Sequence, residues 1–157
     1  MKLEATVEIR RTPEEVWAYL SDVSNVSKWD RGVAETRSAS NTAPGVGFEF
    51  DTLGYPRKGE RRQERGKMSY RISEADPASG CAIQLTSRDG NARFFDTAEW
   101  RFKVEPASDG ARVICAVIFK LRFPYVLMAP IFFLTRGAIR SDLENLKRVL
   151  DWTEMPG

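Results

Sequence analysis

Residues 124–152 read PYVLMAPIFFLTRGAIRSDLENLKRVLDW, and this stretch predicts a long helix at the C-terminal end of the chain. At about 100° per residue, one stripe of that helix contains Met128, Phe132, Thr135, Arg136, Ile139, Leu143, Leu146 and Leu150. The opposite face of the second half is charged, which is typical of a helix that packs one side on a core. Pro124 suits a first helical turn, whereas Pro130 predicts a bend or a restart, because it has no N–H to donate.

The first half of this helix is apolar on every side over residues 126–134. Phe133 and Leu134 lie off the stripe, so something other than the main core must cover them. Either loops cover this part of a core helix, or it forms a gate over a pocket or a surface for a partner. The partner in the last case includes a second copy of the chain, in a homodimer. We expect no transmembrane segment, because the run is too short and carries two prolines.

Composition limits the classes of function. A chain of 157 residues is most simply one domain over 1–157, long enough to bury a core. The net charge of +2 gives no electrostatic case for nucleic acid as a partner. The chain has no histidine, which removes the usual general base and the usual zinc ligand. We therefore expect no metal site and no cofactor.

The cysteines and the N-terminal residues indicate the cellular compartment in which we expect the protein. Cys81 and Cys115 sit in apolar alternating runs without the spacing of a metal or redox motif, so we predict buried free thiols. The N-terminus has no hydrophobic signal region and instead alternates as a strand does over residues 2–10. A cytoplasmic location is the resulting expectation.

The segment after the first strand predicts two short helices. Thr12 precedes Pro13 and two glutamates, which is an N-cap followed by proline in the first turn. This pattern predicts a helix over 13–20, and Asp22 is suited to cap a second helical turn that ends near Trp29.

Six further strands follow, separated by turn residues. Their predicted ranges are 33–38, 47–53, 67–74, 81–87, 92–104 and 111–121. A turn is predicted at 40–45. The polar segment 54–66 is an exposed turn or hairpin end, with phosphate binding the less favoured alternative because acids interrupt its basic residues. Consecutive strands joined by short turns predict an antiparallel sheet of the α+β class, which buries its inner face by curling around the terminal helix.

Two motifs resemble a known family. The opening TPEEVWAYLSDVSNVSKWDRGV, residues 12–33, and the closing SDLENLKRVLD, residues 141–151, are similar to the polyketide cyclase/dehydrase-like group of the START-like (SRPBCC) superfamily. The resemblance implies a helix-grip fold, in which a seven-stranded antiparallel curved sheet wraps around a long C-terminal helix. Two short helices lie between strands 1 and 2. The cavity between sheet and C-terminal helix takes lipids, quinones, polyketides or other apolar molecules, and a few members are cyclases, dehydratases or hydrolases.

The same resemblance implies a sheet order that separates the two cysteines. The strand that starts near Ala92 would lie between the strands of Cys81 and Cys115. Two strand spacings, roughly 9 to 10 Å, exceed the reach of a disulfide.

The longest strand supplies the main candidate for a site. Alternation predicts an inner face made of Phe94, Asp96, Ala98, Trp100, Phe102 and Val104. A buried carboxylate must form an ion pair, be protonated or be hydrated. Arg136 is the expected ion-pair partner of Asp96. Three alternatives stay open for Asp96: a bulge or strand end that turns it to solvent, a structural ion pair, or a group that orients a ligand.

The expected ligand-binding residues combine aromatic and polar side chains. They are Trp17, Phe48, Phe50, Tyr70, Phe94, Asp96, Trp100, Phe119, Met128, Phe132 and Arg136. Our first hypothesis is a module that binds a small apolar molecule, and the second is a cofactor-independent cyclase, dehydratase or hydrolase. In the second, Asp96 serves as acid or base, Tyr70 as proton donor and Arg136 as oxyanion stabiliser. The third is a partner-binding protein that uses Phe133 and Leu134, or the segment 54–66, as its surface.

Overall fold

An antiparallel sheet forms the frame of the protein in a computed structural model that describes residues 1–38, 45–56, 58–59 and 66–152. Within these ranges the sheet has seven strands in the order β1-β7-β6-β5-β4-β3-β2. Their bounds are β1 Lys2–Ile9, β2 Glu35–Ser38, β3 Glu49–Leu53, β4 Met68–Asp76, β5 Gly80–Leu85, β6 Phe95–Ala107 and β7 Gly110–Leu121. The predicted strands are therefore confirmed, with small differences at their ends.

The helices flank this sheet. The α-helices of the described residues are α1 Pro13–Ser21, α2 Val26–Trp29, α3 Ala129–Phe133 and α4 Arg136–Trp152, and short 3₁₀ turns occupy Val23–Asn25, Gly90–Phe94 and Tyr125–Met128. None of these helices is long and apolar enough to cross a membrane. Most of the predicted turn 40–45, and residues 57 and 60–65 of the polar segment 54–66, lie outside the described residues.

The start of α1 has the predicted cap. The side chain of Thr12 accepts from the Glu15 N–H at 3.2 Å, and Glu15 accepts from the Thr12 N–H at 3.0 Å. This reciprocal pair satisfies two backbone donors that the helix itself cannot use. Asp22 caps the following 3₁₀ turn through the N–H of Ser24 at 3.0 Å, as predicted.

Helix α4 packs on the sheet as the helix-grip fold requires. Leu143, Leu146 and Leu150 are buried, and the helix lies mainly against β1 and α2. Hydrogen bonds tie its C-terminal half to the rest of the chain, including one from the Arg11 Nε to the Leu150 carbonyl at 2.8 Å. The Lys147 ammonium donates to the Glu8 carbonyl, also at 2.8 Å. The predicted fold class is confirmed.

The long helix predicted from residue 124 is interrupted, and the restart predicted at Pro130 is confirmed. A 3₁₀ turn ends at Met128, and Pro130 lies in the first turn of α3, because proline cannot donate the N–H that would continue an α-helix through it. A second break follows at Thr135, whose N–H and hydroxyl both donate to the Phe132 carbonyl, at 3.1 and 2.6 Å. Only Arg136–Trp152 forms the long helix.

The predicted inner face of β6 is wrong at its start. Residues Gly90–Phe94 form a 3₁₀ turn, and the pairing with β7 shifts register between Phe95 and Thr97. Asp96 is the extra residue of this bulge, and one extra residue exchanges the two faces of a strand. Phe95 therefore packs inward where Phe94 and Asp96 were expected, whereas the alternation from Ala98 onward is as predicted.

The cysteines are free and buried, as predicted. Cys81 on β5 and Cys115 on β7 both pair in register with Phe102 of the intervening strand β6. Burial raises the pKa of Cys81 to about 11 and that of Cys115 to about 12, with smaller contributions from nearby carboxylates. Both thiols are therefore protonated and poorly nucleophilic at neutral pH.

Candidate ligand-binding site

A partly open cavity of about 90 Å³ lies between the sheet and the segment that carries α2. Its lining residues come from the end of α1, from α2 and from strands β3 to β6. They are Leu20, Val26, Trp29, Asp30, Val33, Phe50, Thr52, Tyr70, Ile83, Trp100 and Phe102. No residue of α4 belongs to this described lining, so the expectation of a cavity directly against the C-terminal helix is corrected. Helix α4 instead holds α2 in place from behind, because Asn145 donates to the Trp29 carbonyl at 2.8 Å.

Strand alternation builds the aromatic wall of the cavity. Phe50 on β3 pairs in register with Tyr70 on β4, and their rings stack with centroids 5.5 Å apart. The Trp100 ring meets Tyr70 edge to face at 5.3 Å, and Trp29 meets Phe102 in the same way at 5.8 Å. Such contacts fix the ring positions and leave flat apolar surfaces toward the cavity.

Two hydroxyl groups break the apolar lining. Thr52 is buried on β3, two residues from Phe50 and therefore on the same face of the strand. The pKa of Tyr70 is raised, chiefly because burial disfavours the phenolate, and the charge of Asp30 adds to the increase. A hydrogen bond with Thr52 acts in the opposite direction. The Tyr70 phenol is therefore a neutral donor at physiological pH.

Asp30 brings an ionisable group to the cavity. It ends α2, where its N–H donates to the Val26 carbonyl at 2.9 Å, and its carboxylate accepts from the Gly32 N–H at 2.8 Å. Burial raises the pKa of Asp30 to about 6, and the charge of Asp142 on α4 contributes to this increase, against the lowering effect of the Gly32 N–H. Near neutral pH this carboxyl can therefore occur in both protonation states.

The predicted polar site residues do not come together. Asp96 Oδ2 lies 3.4 Å from the Lys120 Nζ, and the Asp96 side chain is 42% exposed. Arg136 is exposed in the first turn of α4 and is not its partner. The expected pair of Asp96 with Arg136 is therefore wrong, and the observed geometry matches the first of the three alternatives, a bulge that turns Asp96 to solvent.

The predicted aromatic residues divide between the cavity and two other places. Phe50, Tyr70 and Trp100 line the cavity, whereas Phe48 is buried in the core beside Phe50 and Trp17 packs half-buried on α1. A separate aromatic cluster beneath α3 contains Phe94, Phe95, Phe119 and Phe132, with Met128 partly buried in the preceding turn.

Several residues of the cavity were not predicted from the sequence. Thr52 and Phe102 could have been found, because each lies two positions from a predicted residue on the same strand, Phe50 or Trp100. Asp30 directly follows Trp29 and precedes a turn, but nothing local shows that its carboxyl is desolvated. Among the described residues there is no group of three or more cysteine or carboxylate side chains placed to hold a metal ion.

Comparison with known proteins supports one family. Residues 1–151 match the family described as polyketide cyclase / dehydrase and lipid transport. No curated protein sequence matches the chain.

Solved structures agree in fold. A protein of Thermus thermophilus is 17% identical, with a TM-score of 0.69 over 96% of this chain and 97% of its own. The di-domain ARO/CYC BexL from the BE-7585A biosynthetic pathway is 16% identical, with a TM-score of 0.71 over 94% of this chain and 45% of its own. Norcoclaurine synthase from Thalictrum flavum, solved in complex with dopamine and hydroxybenzaldehyde, is 13% identical, with a TM-score of 0.71 over 99% of this chain and 89% of its own. At these identities the likeness shows the fold alone, whereas the family match covers nearly the whole sequence. The chain therefore belongs to the polyketide cyclase / dehydrase and lipid transport family.

Proposed function

We propose that the protein binds a small apolar molecule with a polar substituent in the cavity between α2 and the sheet. The observation that carries this proposal is the combination of an aromatic wall with a few polar groups, Asp30, Thr52 and Tyr70, on one cavity. Such a lining is typical of ligand sites, in which apolar surface supplies affinity and a few polar groups fix orientation.

The dimensions of the cavity limit the ligand. A volume of about 90 Å³ is well below the roughly 300 to 1,000 Å³ of sites for drug-sized molecules. It admits a part of such a molecule about the size of one ring, which favours a quinone or polyketide-like compound over a whole lipid. Burial of one ring, roughly 150 Å² of apolar surface, contributes about 4 kcal/mol.

A larger ligand requires movement of α2. This helix has four residues, and no side chain caps its N-terminus. Besides packing against α4, this segment is attached to it by the Asn145 bond to Trp29 and by a hydrogen bond from the Arg31 N–H to Asp142 at 3.2 Å. We expect these hydrogen bonds to break when a larger ligand enters, because a helix of a single turn has little stability of its own.

The first experiment looks for a natural ligand. Protein purified from cells is denatured and its extract is analysed by mass spectrometry. A quinone, polyketide or lipid present in stoichiometric amount supports the proposal, provided that Trp100→Arg, which places a charge in the apolar lining, abolishes its co-purification. An extract that is empty, or unchanged by that substitution, argues against a cargo in this cavity.

The second experiment measures binding directly with the quinone menadione as probe. Trp29 and Trp100 line the cavity, whereas Trp152 is exposed at the end of α4. Trp152→Phe should therefore retain saturable quenching of tryptophan fluorescence, and Trp100→Phe in that background should lose much of it. Quenching that rises linearly with menadione concentration, equally in Trp152→Phe and in the double variant, would contradict binding of the probe in this cavity. Lauric acid tests the aliphatic alternative as a competitor.

A second candidate function is catalysis without a cofactor. Asp96 and Arg136 lie outside the cavity, so the acid–base roles pass to Asp30 and Tyr70. An acid with a pKa of about 6 beside a neutral phenol favours proton transfer at neutral pH, as cyclisation and dehydration require. Asp30→Asn should then reduce turnover of a substrate by at least about 100-fold, whereas Asp96→Asn should not. Equal rates for the wild type and Asp30→Asn would remove Asp30 from the mechanism.

A further inference from the structure

The segment between β7 and α4 presents an uncharged surface between basic residues. Residues 123–135, FPYVLMAPIFFLT, contain no charged side chain, and Arg122 and Arg136 stand at their two ends. Most loops between a strand and a helix are polar, because they run over the surface in water. This one therefore needs a specific explanation.

One side of the segment is anchored to the protein. The Tyr125 ring meets the Phe94 ring at 4.9 Å. Phe132 lies 5.8 Å from Phe95 and 5.7 Å from Phe119, measured between ring centroids. These contacts fix the orientation of the 3₁₀ turn and of α3, so the other side of the segment is held outward.

The outward side is apolar as well. We call it the outer apolar face, and it consists of Phe123, Val126, Leu127, Ile131, Phe133 and Leu134. Phe123, Leu127 and Leu134 are 80%, 78% and 82% exposed. Six large apolar side chains within twelve consecutive residues form a patch of the kind that marks an interaction surface.

Three arginines lie near the segment that carries this face, and one of them, Arg122, also donates to the Phe95 carbonyl at 3.5 Å. Arg122 and Arg136 flank it in sequence, and the Arg93 guanidinium lies 5.0 Å from the centroid of the Phe94 ring, on which the segment packs. None of these three arginines lies within ion-pair distance of a carboxylate in the part of the chain that the structure describes. The neighbouring cation Arg140 is paired with Glu144 at 3.5 Å.

We propose that the outer apolar face docks on the surface of a lipid bilayer that contains anionic lipid. Apolar side chains enter the boundary between headgroups and acyl chains, while arginines at the edge contact phosphate groups. A second copy of this chain is a poorer occupant, because a two-fold contact places the same basic rim opposite itself. The proposal does not depend on a ligand in the cavity, since docking can be measured with the empty protein.

Flotation with vesicles tests the proposal. The full chain is mixed with vesicles of phosphatidylcholine alone, or of phosphatidylcholine with phosphatidylglycerol, at low and high salt. We expect flotation with the anionic vesicles, weakened by salt and by removal of phosphatidylglycerol. The double variant Leu127→Ser/Leu134→Ser should weaken it about tenfold or more, because both side chains lose their transfer into the interface. Arg136→Glu should weaken it mainly at low salt.

Matched controls lie at the other end of α4. Trp152→Ser removes an apolar side chain that is equally exposed, and Arg148→Glu reverses an exposed charge there. Both should float as the wild type does. The substituted side chains are exposed, so unchanged thermal unfolding verifies that each variant is folded.

Two outcomes overturn the proposal. In one, the wild type does not float with anionic vesicles, or Trp152→Ser weakens flotation as much as the double variant does. In the other, light scattering without vesicles shows a dimer that Leu127→Ser/Leu134→Ser dissociates, which assigns the face to a second copy.

Discussion

Asp142 on α4 lies close enough to Asp30 beside α2 to add to the increase in the pKa of Asp30 that burial chiefly causes. The N–H of the next residue, Arg31, donates to the Asp142 carboxylate at 3.2 Å across 111 positions of sequence. The two acids are thus brought together by the packing of α4 behind α2. Asp30 lines the cavity, and Asp142 accepts a hydrogen bond from the residue that follows Asp30. The protonation state of Asp30 in the cavity is therefore linked to the contact between α4 and the segment that carries α2.

The first prediction concerns pH and stability. The folded-state pKa of Asp30 is raised from the ordinary 3.8 to about 6, so its contribution to stability is fully present below 3.8 and is lost as pH rises through about 6. Asp30→Asn removes the charge and keeps an acceptor for Gly32. Relative to wild type, this variant should gain about 1 to 3 kcal/mol in free energy of unfolding as pH rises between those two values. Urea unfolding at a series of pH values measures the difference.

The control for that measurement is Asp96→Asn, because Asp96 is half exposed and paired with Lys120 on the surface. This substitution removes a carboxylate on the surface and leaves the cavity unchanged. If the difference between Asp30→Asn and wild type were constant with pH, the raised pKa of Asp30 would be refuted.

The second prediction compares two phenylalanines in different surroundings. Phe102 is buried between the two cysteine strands and contacts Trp29, whereas Phe123 is exposed. Phe102→Ala should lower the free energy of unfolding by about 3 to 5 kcal/mol, since it removes packed surface and enlarges the cavity. Phe123→Ala should change it by less than about 0.5 kcal/mol. Denaturant titration of both variants provides the check, and similar losses in the two would contradict the described core.

The third prediction concerns access to the cavity. Asn145→Ala removes the hydrogen bond to the Trp29 carbonyl and should lower stability by about 1 kcal/mol. The N–H of Asp30, which bonds to Val26 within α2, should then exchange faster with solvent deuterium because α2 opens more often. Glu144→Ala, on the exposed side of α4, is the matched control. Equal exchange in both variants would mean that α4 does not restrain α2.

The fourth prediction concerns the thiols. Burial raises the pKa of both cysteines, more for Cys115 than for Cys81. Iodoacetamide should therefore label neither one rapidly in the native protein, and Cys81 should react before Cys115. Mass spectrometry of peptides from timed labelling distinguishes them. Rapid native labelling of Cys115 would contradict its place in the sheet interior.

Local patterns were sufficient for most secondary structure. The alternation of β1, the Thr12 cap of α1 and the leucine stripe of α4 depend on residues at most a few turns apart, and each was predicted. The resemblance of the opening and closing motifs added the sheet order, which places β6 between the two cysteine strands. Part of the aromatic wall followed from strand parity, namely Phe50, Tyr70 and Trp100.

The errors arose where one residue changes a pattern. The bulge at Asp96 depends on how β6 pairs with β7, and a single extra residue exchanges the faces on which Phe94 and Phe95 were placed. The break at Thr135 separates α3 from α4, and Arg136 lies exposed in the first turn of α4 instead of over the core. The bulge is set by pairing with a distant strand, whereas the break involves the carbonyl of Phe132, three residues away.

By itself, the amino-acid sequence determined an antiparallel sheet with a C-terminal helix, two buried thiols and an apolar stretch at residues 126–134 that needs a cover. Only the tertiary structure decided which carboxyl meets the cavity. A pKa depends on burial and on charges close in space, and the groups that interact with Asp30 come from β4 and α4 as well as from its own turn. Alternation along one strand carries no information about those distances.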